Sequence, residues 1–319
     1  MPEIIYIEKR VQTLPRTQAF LRRFSNPTVI FCDHYKEIFN RRNQNFRLQK
    51  ERPAWIVAQK EGALVHPIPP QFGIGAKRSY YFSHLLNCPF DCGYCFLQGM
   101  YHSAHYVFFI NFEEMQEQIL EKRGGHFFSG YDGDSLALEH KTHFLQEFFP
   151  FFARHPDCLF EVRTKSGVSA PWLQQQPLEN VVLAWSLSPE KVVEQVEKKT
   201  APLQRRLALL KKAQQLGWKV GLRFDPILAQ KNFYSVMRTF FQQVFREVVG
   251  KQVHSVSLGA FRLPRSFQKN MEKNMERPSL LAHSAPCTSE LRYHQEDKWL
   301  SFCAEELQKY VPQEVVHRI

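Results

Sequence analysis

The chain has 319 residues, of which 44% are hydrophobic, and this composition excludes a wholly disordered protein and predicts one large α/β domain with extensions. The formal net charge of +11 predicts a surface that attracts polyanions such as nucleic acids, although a general positive excess is also common among soluble proteins. No stretch approaches the ~20 apolar residues of a membrane span and residues 1–10 lack a signal-peptide core, so we expect a cytoplasmic protein without membrane contact.

Residues 1–78 are predicted to form a small N-terminal α/β extension. Short apolar runs predict strands at residues 4–7, 28–32 and 55–58. Residues 67–75 contain several prolines and have the composition of a linker. We therefore expect a separate layer before the main domain.

From residue 79 onward, short β-branched or aromatic runs alternate with stretches of helical period. The predicted strands are residues 80–85, 107–110, 126–129, 159–164, 181–186, 219–224 and 255–258. The predicted helices are residues 112–122, 142–153, 203–216 and 232–249. This alternation predicts parallel strands with right-handed crossovers. We expect an α/β fold, an incomplete (β/α)6-type barrel over residues 79–263, with an open doubly wound sheet as the alternative.

Residues 264–319 are polar and basic and are predicted to form a C-terminal extension that ends in a helix at residues 298–310. No G-x-G-x-x-G or Walker-type phosphate loop follows any predicted strand. The sequence therefore gives no support to a nucleotide-binding Rossmann or P-loop domain.

The most informative segment is residues 83–101, in which Cys88, Cys92 and Cys95 have the spacing C-x3-C-x2-C. These cysteines follow the first predicted barrel strand, and the carboxyl ends of barrel strands are where such folds place their chemistry. Three thiolates can hold three corners of a [4Fe–4S] cluster and leave the fourth iron open. The spacing therefore predicts a catalytic iron–sulfur site.

A structural zinc site is the alternative, because close cysteine pairs also bind zinc. The protein would then be a non-enzymatic nucleic-acid-binding protein, with His84, His102 or His105 as the fourth ligand. We expect the remaining cysteines to behave as small buried hydrophobic residues; they are Cys32, Cys158, Cys287 and Cys303.

The C-x3-C-x2-C loop is the cluster signature of the radical S-adenosylmethionine superfamily, and its surroundings resemble the spore photoproduct lyase family. The likeness covers most of the chain, in PEIIYIEKR, CPFDCGYCFLQ, YVFFIN, FFSGYDGDSLALEHKTH, EVRTKS, AWSLSPE, TAPLQRRLALLKKAQQLGWKVGLRFDPI and LGAFRLPRSF. The resemblance implies that the open iron binds S-adenosylmethionine and that an external one-electron reductant drives its cleavage to a 5′-deoxyadenosyl radical. In the family, this radical removes a hydrogen atom from a thymine photoproduct in DNA, and two thymines are restored.

The resemblance also implies roles for individual residues. By motif position, Ser129, Lys165 and Ser186 line the S-adenosylmethionine site, and Arg262 faces the DNA or the cofactor. Asp225, at a predicted strand end, is a further candidate for contact with ribose or substrate, or else a turn residue before a proline. A lysine ammonium can pair with a carboxylate, and hydroxyls can bond ribose oxygens, although strand-end serines and lysines are also often structural.

Two positions depart from the family pattern. The cysteine that returns a hydrogen atom to the product radical is matched here by Tyr131, and the tyrosine after the third cluster cysteine is matched by Phe96. Tyr94, just before that cysteine, is kept and is a further catalytic candidate. Three explanations are open: Tyr131 donates from its phenol, Cys287 substitutes, or the enzyme acts on another substrate, such as a modified nucleotide or peptide. Residues 262–299 also lack the aromatic, glycine-rich hairpin with which the family wedges DNA.

Overall fold

A computed structural model describes residues 3–168, 171–274, 284–287 and 289–319, with the backbone alone at residues 284–287. The strands are β1 Ile4–Glu8, β2 Thr28–Cys32, β3 Trp55–Ala58, β4 Val65–Pro67, β5 Ser79–Phe82, β6 Leu85–Leu86, β7 Asp91–Cys92, β8 Tyr106–Phe109, β9 Gly125–Ser129, β10 Cys158–Thr164, β11 Val181–Ser186, β12 Glu197–Lys198, β13 Lys219–Ile227, β14 Val253–Ala260, β15 Arg262–Pro264, β16 Ser284–Cys287, β17 Glu290–Tyr293 and β18 Val316–Arg318.

The helices are α1 Pro15–Leu21, α2 Phe46–Glu51, α3 Leu97–Met100, α4 Phe112–Glu121, α5 Glu139–Thr142, α6 Phe144–Ala153, α7 Glu190–Val196, α8 Leu203–Gln215, α9 Phe233–Glu247, α10 Arg265–Asn274 and α11 Glu296–Leu307. Each helix predicted from the sequence is confirmed within a few residues, as α4, α6, α8, α9 and α11. The remaining helices, α1, α2, α3, α5, α7 and α10, were not predicted. None of the helices in the described ranges is long and apolar enough to cross a lipid bilayer.

The main sheet has the strand order β18-β14-β13-β11-β10-β9-β5-β4, and only the pair β4–β5 is antiparallel. It curls into a half-barrel whose outer face is covered by α6, α8 and α9. The predicted α/β fold with an incomplete barrel is confirmed. On the outer face, Phe160 of β10 stacks on Phe152 of α6 at 4.3 Å between ring centroids, and burying each such ring stabilises the fold by roughly 1.5–3 kcal/mol.

The inner face of the half-barrel is polar. The guanidinium of Arg223 on β13 donates to both carboxylate oxygens of Glu161 on β10, at 2.9 and 2.6 Å, and both side chains are fully buried. Arg163, two residues further along β10, donates to the same carboxylate at 3.0 Å. Because a buried charge is tolerated only when it is paired, these contacts tie β10 to β13 below the opening of the barrel.

A second sheet has the order β2-β1-β3-β8-β6. The strand predicted at residues 107–110 was expected in the barrel, and this was wrong: β8 runs parallel to β3, with Trp55 opposite Tyr106. The strand predicted at residues 80–85 is divided, since β5 ends at Phe82 in the barrel and β6 pairs with β8. Phe108 of β8 packs on Phe20 of α1 at 5.0 Å. An apolar run reveals a buried strand but does not reveal its sheet.

Strand pairing crosses both predicted domain boundaries. In the main sheet, β4 from the N-terminal extension pairs with β5, and β18 from the C-terminal extension pairs with β14. A third, antiparallel sheet has the order β15-β17-β16 and is formed by residues on both sides of the boundary predicted at residue 263. The division into residues 1–78, 79–263 and 264–319 stays a prediction about folding units.

Candidate active site

The carboxyl ends of the barrel strands open into a cleft with a volume of about 470 Å³. The predicted site residues whose side chains are described all line this cleft: Cys88, Cys92, Cys95, Tyr94, Ser129, Tyr131, Lys165, Ser186, Asp225 and Arg262. They come from six separate segments of the chain. The half-barrel brings these segments together because parallel strands end at the same edge of the sheet.

Backbone pairing holds the cysteine loop on the cleft wall. The short strand β7 pairs antiparallel with β12, with Cys92 opposite Glu197. The amide nitrogen of Gly93 donates to the carbonyl of Val196 at 2.8 Å, and the side chain of Gln98 donates to the carbonyl of Cys92 at 2.5 Å. The loop is therefore held by β12 on one side and by α3 on the other.

The three thiols fit the requirements of an iron–sulfur cluster. Burial raises the pKa of Cys88, Cys92 and Cys95, and the negative Glu197 further raises that of Cys92. A cationic metal cluster would reverse this effect, because thiolates are the form that binds metal. Three cysteines on one wall would hold three irons and leave the fourth open for S-adenosylmethionine.

Two of the three histidines proposed as zinc ligands, His84 and His105, have other environments. His84 stacks on Phe144 at 3.8 Å between ring centroids, and burial lowers its pKa to about 3. The Nδ1 atom of His105 accepts a hydrogen bond from the amide of Ala54 at 3.0 Å. Within the described ranges, no three histidine, cysteine or acidic side chains converge on one metal position. A single zinc ion needs its ligands around one point, whereas the three irons of a cluster lie apart, so the arrangement of these cysteines favours the cluster over zinc.

Two buried aspartates shape the loop after β9. Asp132 accepts a hydrogen bond from the hydroxyl of Ser83 at 2.7 Å. Asp134 accepts one from the hydroxyl of Thr164 and one from the backbone amide of Lys165, both at 2.7 Å. Burial raises the pKa of Asp134 although these donors oppose the shift. Asp134 thus couples the loop after β9 to the end of β10, a role that the sequence analysis missed.

The glycine before Tyr131 is required by the turn. Gly130 has φ +86°, and a Cβ atom there would lie 2.6 Å from the hydroxyl oxygen of Ser135. This left-handed conformation strongly favours glycine. It allows Tyr131 to lie at the wall of the cleft, between the anchored residues Asp132 and Ser129.

Tyr131 lies among aromatic rings. Its ring centroid is 4.4 Å from that of Tyr81 and 5.5 Å from that of Phe96, and the side chain of Tyr131 is 49% exposed. Burial and the neighbouring Asp132 raise the pKa of Tyr131, and the same causes raise the pKa of Tyr81 to about 12. Both phenols are therefore protonated at neutral pH. The sequence analysis missed Tyr81, whose inward position follows only from the pleat of β5.

Tyr94 has a different setting from Tyr131. It is buried, its hydroxyl donates to the carboxylate of Glu197, and its pKa is raised well above the usual value by burial and by that negative charge. Glu197 is also paired with Arg206 at 2.6 Å. The hydroxyl of Tyr94 is thus part of a buried network below the cysteine loop.

Lys165 lies where this network meets the cleft. Burial opposes its charge, but the negative Glu197, together with Cys92 in its thiolate form, outweighs burial and raises the pKa of Lys165. The ammonium lies 5.7 Å from the centroid of the Tyr94 ring. Lys165 is therefore a cation beside the cysteine loop, suited to an anionic ligand group.

The other predicted cofactor residues have partners of their own. The hydroxyl of Ser129 donates to the carbonyl of Glu161 at 3.1 Å, and the carbonyl of Ser186 accepts from the guanidinium of Arg206 at 2.9 Å. Asp225 accepts from the hydroxyl of Ser257 at 2.7 Å. Ser129 and Ser186 are almost fully buried, so each offers at most a small polar surface to a ligand.

Arg262 lies at the cleft with its guanidinium 4.5 Å from the centroid of the Phe72 ring. Burial lowers its pKa, and the positive Arg292 on the neighbouring strand adds to the effect. Arg163 also lines the cleft, 3.7 Å from the carboxylate of Asp225. The cleft therefore presents cations next to aromatic rings, and sequence reasoning had not identified Arg163 or Phe72.

The side chain of Cys287 lies outside the described residues. Its backbone belongs to β16, opposite Glu290 of β17, and Glu290 lines the cleft. A role for Cys287 stays a prediction. The other three scattered cysteines, Cys32, Cys158 and Cys303, are buried and free, as expected.

A family model described as spore photoproduct lyase matches residues 75–295 of the chain. The chain belongs to the spore photoproduct lyase family. The spore photoproduct lyase of Bacillus subtilis (strain 168) is 21% identical over 294 residues, which cover 88% of this chain and 84% of that protein. Members of the family are radical S-adenosylmethionine enzymes with a [4Fe–4S] cluster, so the family and cofactors predicted from the sequence are confirmed at this level.

Two solved structures of spore photoproduct lyase share the fold of this family member. One, complexed with dinucleoside spore photoproduct, has a TM-score of 0.84 at 14% identity and covers 100% of this chain and 98% of that chain. Another, a double mutant with bound AdoMet and dinucleoside spore photoproduct, has a TM-score of 0.83 at 15% identity with the same coverage. These similarities establish the common architecture.

Proposed function

We propose that this member of the family is a radical S-adenosylmethionine lyase that splits a thymine photoproduct in nucleic acid. The observation that carries the proposal is the convergence of the cysteine loop, Lys165 and Tyr131 on one cleft. Solved relatives with AdoMet and dinucleoside spore photoproduct support the choice of both ligands.

Cys88, Cys92 and Cys95 would hold the [4Fe–4S] cluster. Bound together, the cluster and S-adenosylmethionine supply a 5′-deoxyadenosyl radical that takes a hydrogen atom from the substrate. The ammonium of Lys165 would pair with the carboxylate of S-adenosylmethionine. Ser129 and Ser186 would contact the cofactor through small polar surfaces, and Asp225 would accept hydrogen bonds from ribose hydroxyls.

Cations and rings in the cleft support a nucleic-acid substrate. Arg262 would contact a phosphate, since a guanidinium matches phosphate geometry, and Phe72 would offer a face to a base. The net charge of +11 would favour encounter with a polyanion. A damaged base pair is weakly stacked, so its entry into the cleft would cost less than that of an intact pair.

Tyr131 would return a hydrogen atom to the product radical. Its phenol is protonated, it lies at the cleft wall, and it occupies the position at which the family has its donor cysteine. An external one-electron reductant would supply the electron for cofactor cleavage. A cytoplasmic location would provide such reductants and keep the cysteines reduced.

The test is anaerobic. The reconstituted, reduced protein is incubated with S-adenosylmethionine and a dinucleotide that carries the thymine photoproduct, and 5′-deoxyadenosine and restored thymine are quantified together. Undamaged thymidine dinucleotide is the matched control. Restored thymine from the damaged dinucleotide alone is expected, and its absence under conditions that yield 5′-deoxyadenosine contradicts this substrate.

A second candidate is a radical reaction on a different substrate, such as a modified nucleotide or peptide. The observation that favours it is the replacement of two hydrogen-transfer positions of the family by Tyr131 and Phe96. Binding separates the candidates: affinity for a nucleic acid falls steeply with salt concentration, because phosphate contacts release counterions. Absent or salt-insensitive binding of damaged DNA would favour the second candidate.

A further inference from the structure

Four rings form a continuous column from the cysteine loop to the edge of the main sheet. Phe96 contacts Tyr131 at 5.5 Å between centroids, Tyr131 contacts Tyr81 at 4.4 Å, and Tyr81 contacts His66 at 5.1 Å. The planes of the last pair are inclined by only 27°. We call the rings of Phe96, Tyr131, Tyr81 and His66 the aromatic column.

The two ends of the aromatic column differ chemically. Phe96, next to Cys95, has no exchangeable hydrogen. His66 lies on the edge strand β4, directly opposite Tyr81 in the antiparallel register, and is half-buried. Its Nε2 atom is 3.5 Å from the ammonium nitrogen of Lys60. Only the His66 end therefore offers groups that exchange protons with solvent.

A tyrosine that donates a hydrogen atom must regain it before the next turnover. Loss of the atom from Tyr131 leaves a phenoxyl radical, which needs one electron and one proton. Phe96 can supply neither, and the hydroxyl of Tyr94 is bound to the carboxylate of Glu197. Among the described aromatic residues that contact the Tyr131 ring, Tyr81 is the one with a phenol.

We infer that Tyr81 and His66 restore Tyr131 after each turnover; the inference rests on the proposed function. The product radical takes the phenolic hydrogen of Tyr131, which becomes a phenoxyl radical. That radical takes the phenolic hydrogen of Tyr81. The Tyr81 radical then accepts one electron from an external one-electron reductant, and one proton enters through His66, so its O–H bond is restored.

The electron balance has a measurable consequence. One electron is used in cofactor cleavage and a second in restoring Tyr81, with one proton taken up. No hydrogen atom is taken back from 5′-deoxyadenosine. Each pair of restored thymines therefore consumes one S-adenosylmethionine and releases one 5′-deoxyadenosine and one methionine.

The variant Tyr81→Phe tests this path, because it keeps the ring and removes the hydrogen. Tyr80→Phe is the matched control. Tyr80 is the residue before Tyr81 on β5, so its side chain lies on the other face of the sheet, where it stacks on Phe127 at 5.3 Å between ring centroids. Wild type and Tyr80→Phe are expected to release 5′-deoxyadenosine and restored pairs in a 1:1 ratio. In heavy water, their product should carry one solvent deuterium.

Tyr81→Phe is expected to restore about one thymine pair per protein and then stall, with a tyrosyl radical visible by electron paramagnetic resonance and with unchanged iron content. His66→Phe, which keeps a ring beside Tyr81, is expected to show the same first turnover and slower later ones. Wild-type turnover in Tyr81→Phe or His66→Phe, or several restored pairs per 5′-deoxyadenosine, would overturn the inference and leave the proposed function intact. Release of 5′-deoxyadenosine without any restored thymine in wild type would overturn both.

Discussion

The two walls of the cleft are built from different interactions. The wall that we call the cofactor wall, formed by Cys88, Cys92, Cys95 and Lys165, rests on backbone pairing and on the buried pair of Glu197 with Arg206. The aromatic column, which begins at Phe96 on the cysteine loop, rests on ring contacts between residues of β4, β5 and two loops. The cofactor wall matches the family motif, whereas the aromatic column contains both departures from it.

This difference indicates that generation of the radical and return of the hydrogen atom can change separately. A polar network with buried charges tolerates little change, because loss of one partner leaves an unpaired charge. Rings in contact tolerate exchange between Tyr and Phe, because the two rings have nearly the same shape. Variants of the cofactor wall and variants of the aromatic column should therefore differ in which product is lost, 5′-deoxyadenosine or restored thymine.

Cys92→Ser is expected to have the largest effect. Without this thiolate the cluster would lack one of its three proposed protein ligands, so the brown colour, the bound iron and all 5′-deoxyadenosine formation should be lost. Cys32→Ser, at a buried free cysteine of β2, is the control and should keep all three. A Cys92→Ser protein that retained iron and cleaved S-adenosylmethionine would contradict the assignment of the cofactor wall.

Tyr131→Phe is expected to separate the two products. The radical still forms and 5′-deoxyadenosine is still released, but restored thymine should fall to background because the phenyl ring cannot donate a hydrogen atom. Both products are measured by chromatography. Tyr234→Phe, at a tyrosine that is 45% exposed on α9, is the control. A normal yield of restored thymine from Tyr131→Phe would show that Tyr131 is not the hydrogen donor and would favour Cys287 as the donor.

Lys165→Met is expected to weaken S-adenosylmethionine binding by roughly 10–100-fold, since a charged hydrogen bond contributes about 1.5–3 kcal/mol. The effect should appear mainly in the KM for S-adenosylmethionine. Lys60→Met, at a lysine beside the aromatic column, is the comparison and should leave this KM unchanged. An unchanged KM in Lys165→Met would place the carboxylate of the cofactor elsewhere.

Tyr94→Phe is expected to have the smallest effect on catalysis. It removes the hydrogen bond to Glu197 and should lower the free energy of unfolding by about 1–2 kcal/mol, measured by urea denaturation. Turnover should continue beyond one thymine pair per protein, unlike that of Tyr81→Phe. A stalled Tyr94→Phe enzyme would show that the relay runs through the cofactor wall instead.

Much of the site was predictable because its chemistry is local in sequence. The cysteine spacing predicted the cluster loop, and motif positions at strand ends predicted that Ser129, Lys165 and Ser186 would lie together at one edge of the sheet. Neighbours such as Tyr81 and Arg163 were missed, because an inward-facing residue of a strand has no distinctive local pattern. The roles of all these residues stay predictions until the variants are measured.

The sequence alone determined the alternation of strands and helices, the spacing of the three candidate cluster cysteines and, through its motifs, the resemblance to the family, since all of these are read along the chain. Only the tertiary structure decided that β8 belongs to the second sheet and not to the main sheet, and that Tyr81 and His66 follow Tyr131 in the aromatic column. The physical reason is that sheet membership and ring contacts join residues far apart in sequence. Burial and shape select those contacts, and a local pattern does not encode them.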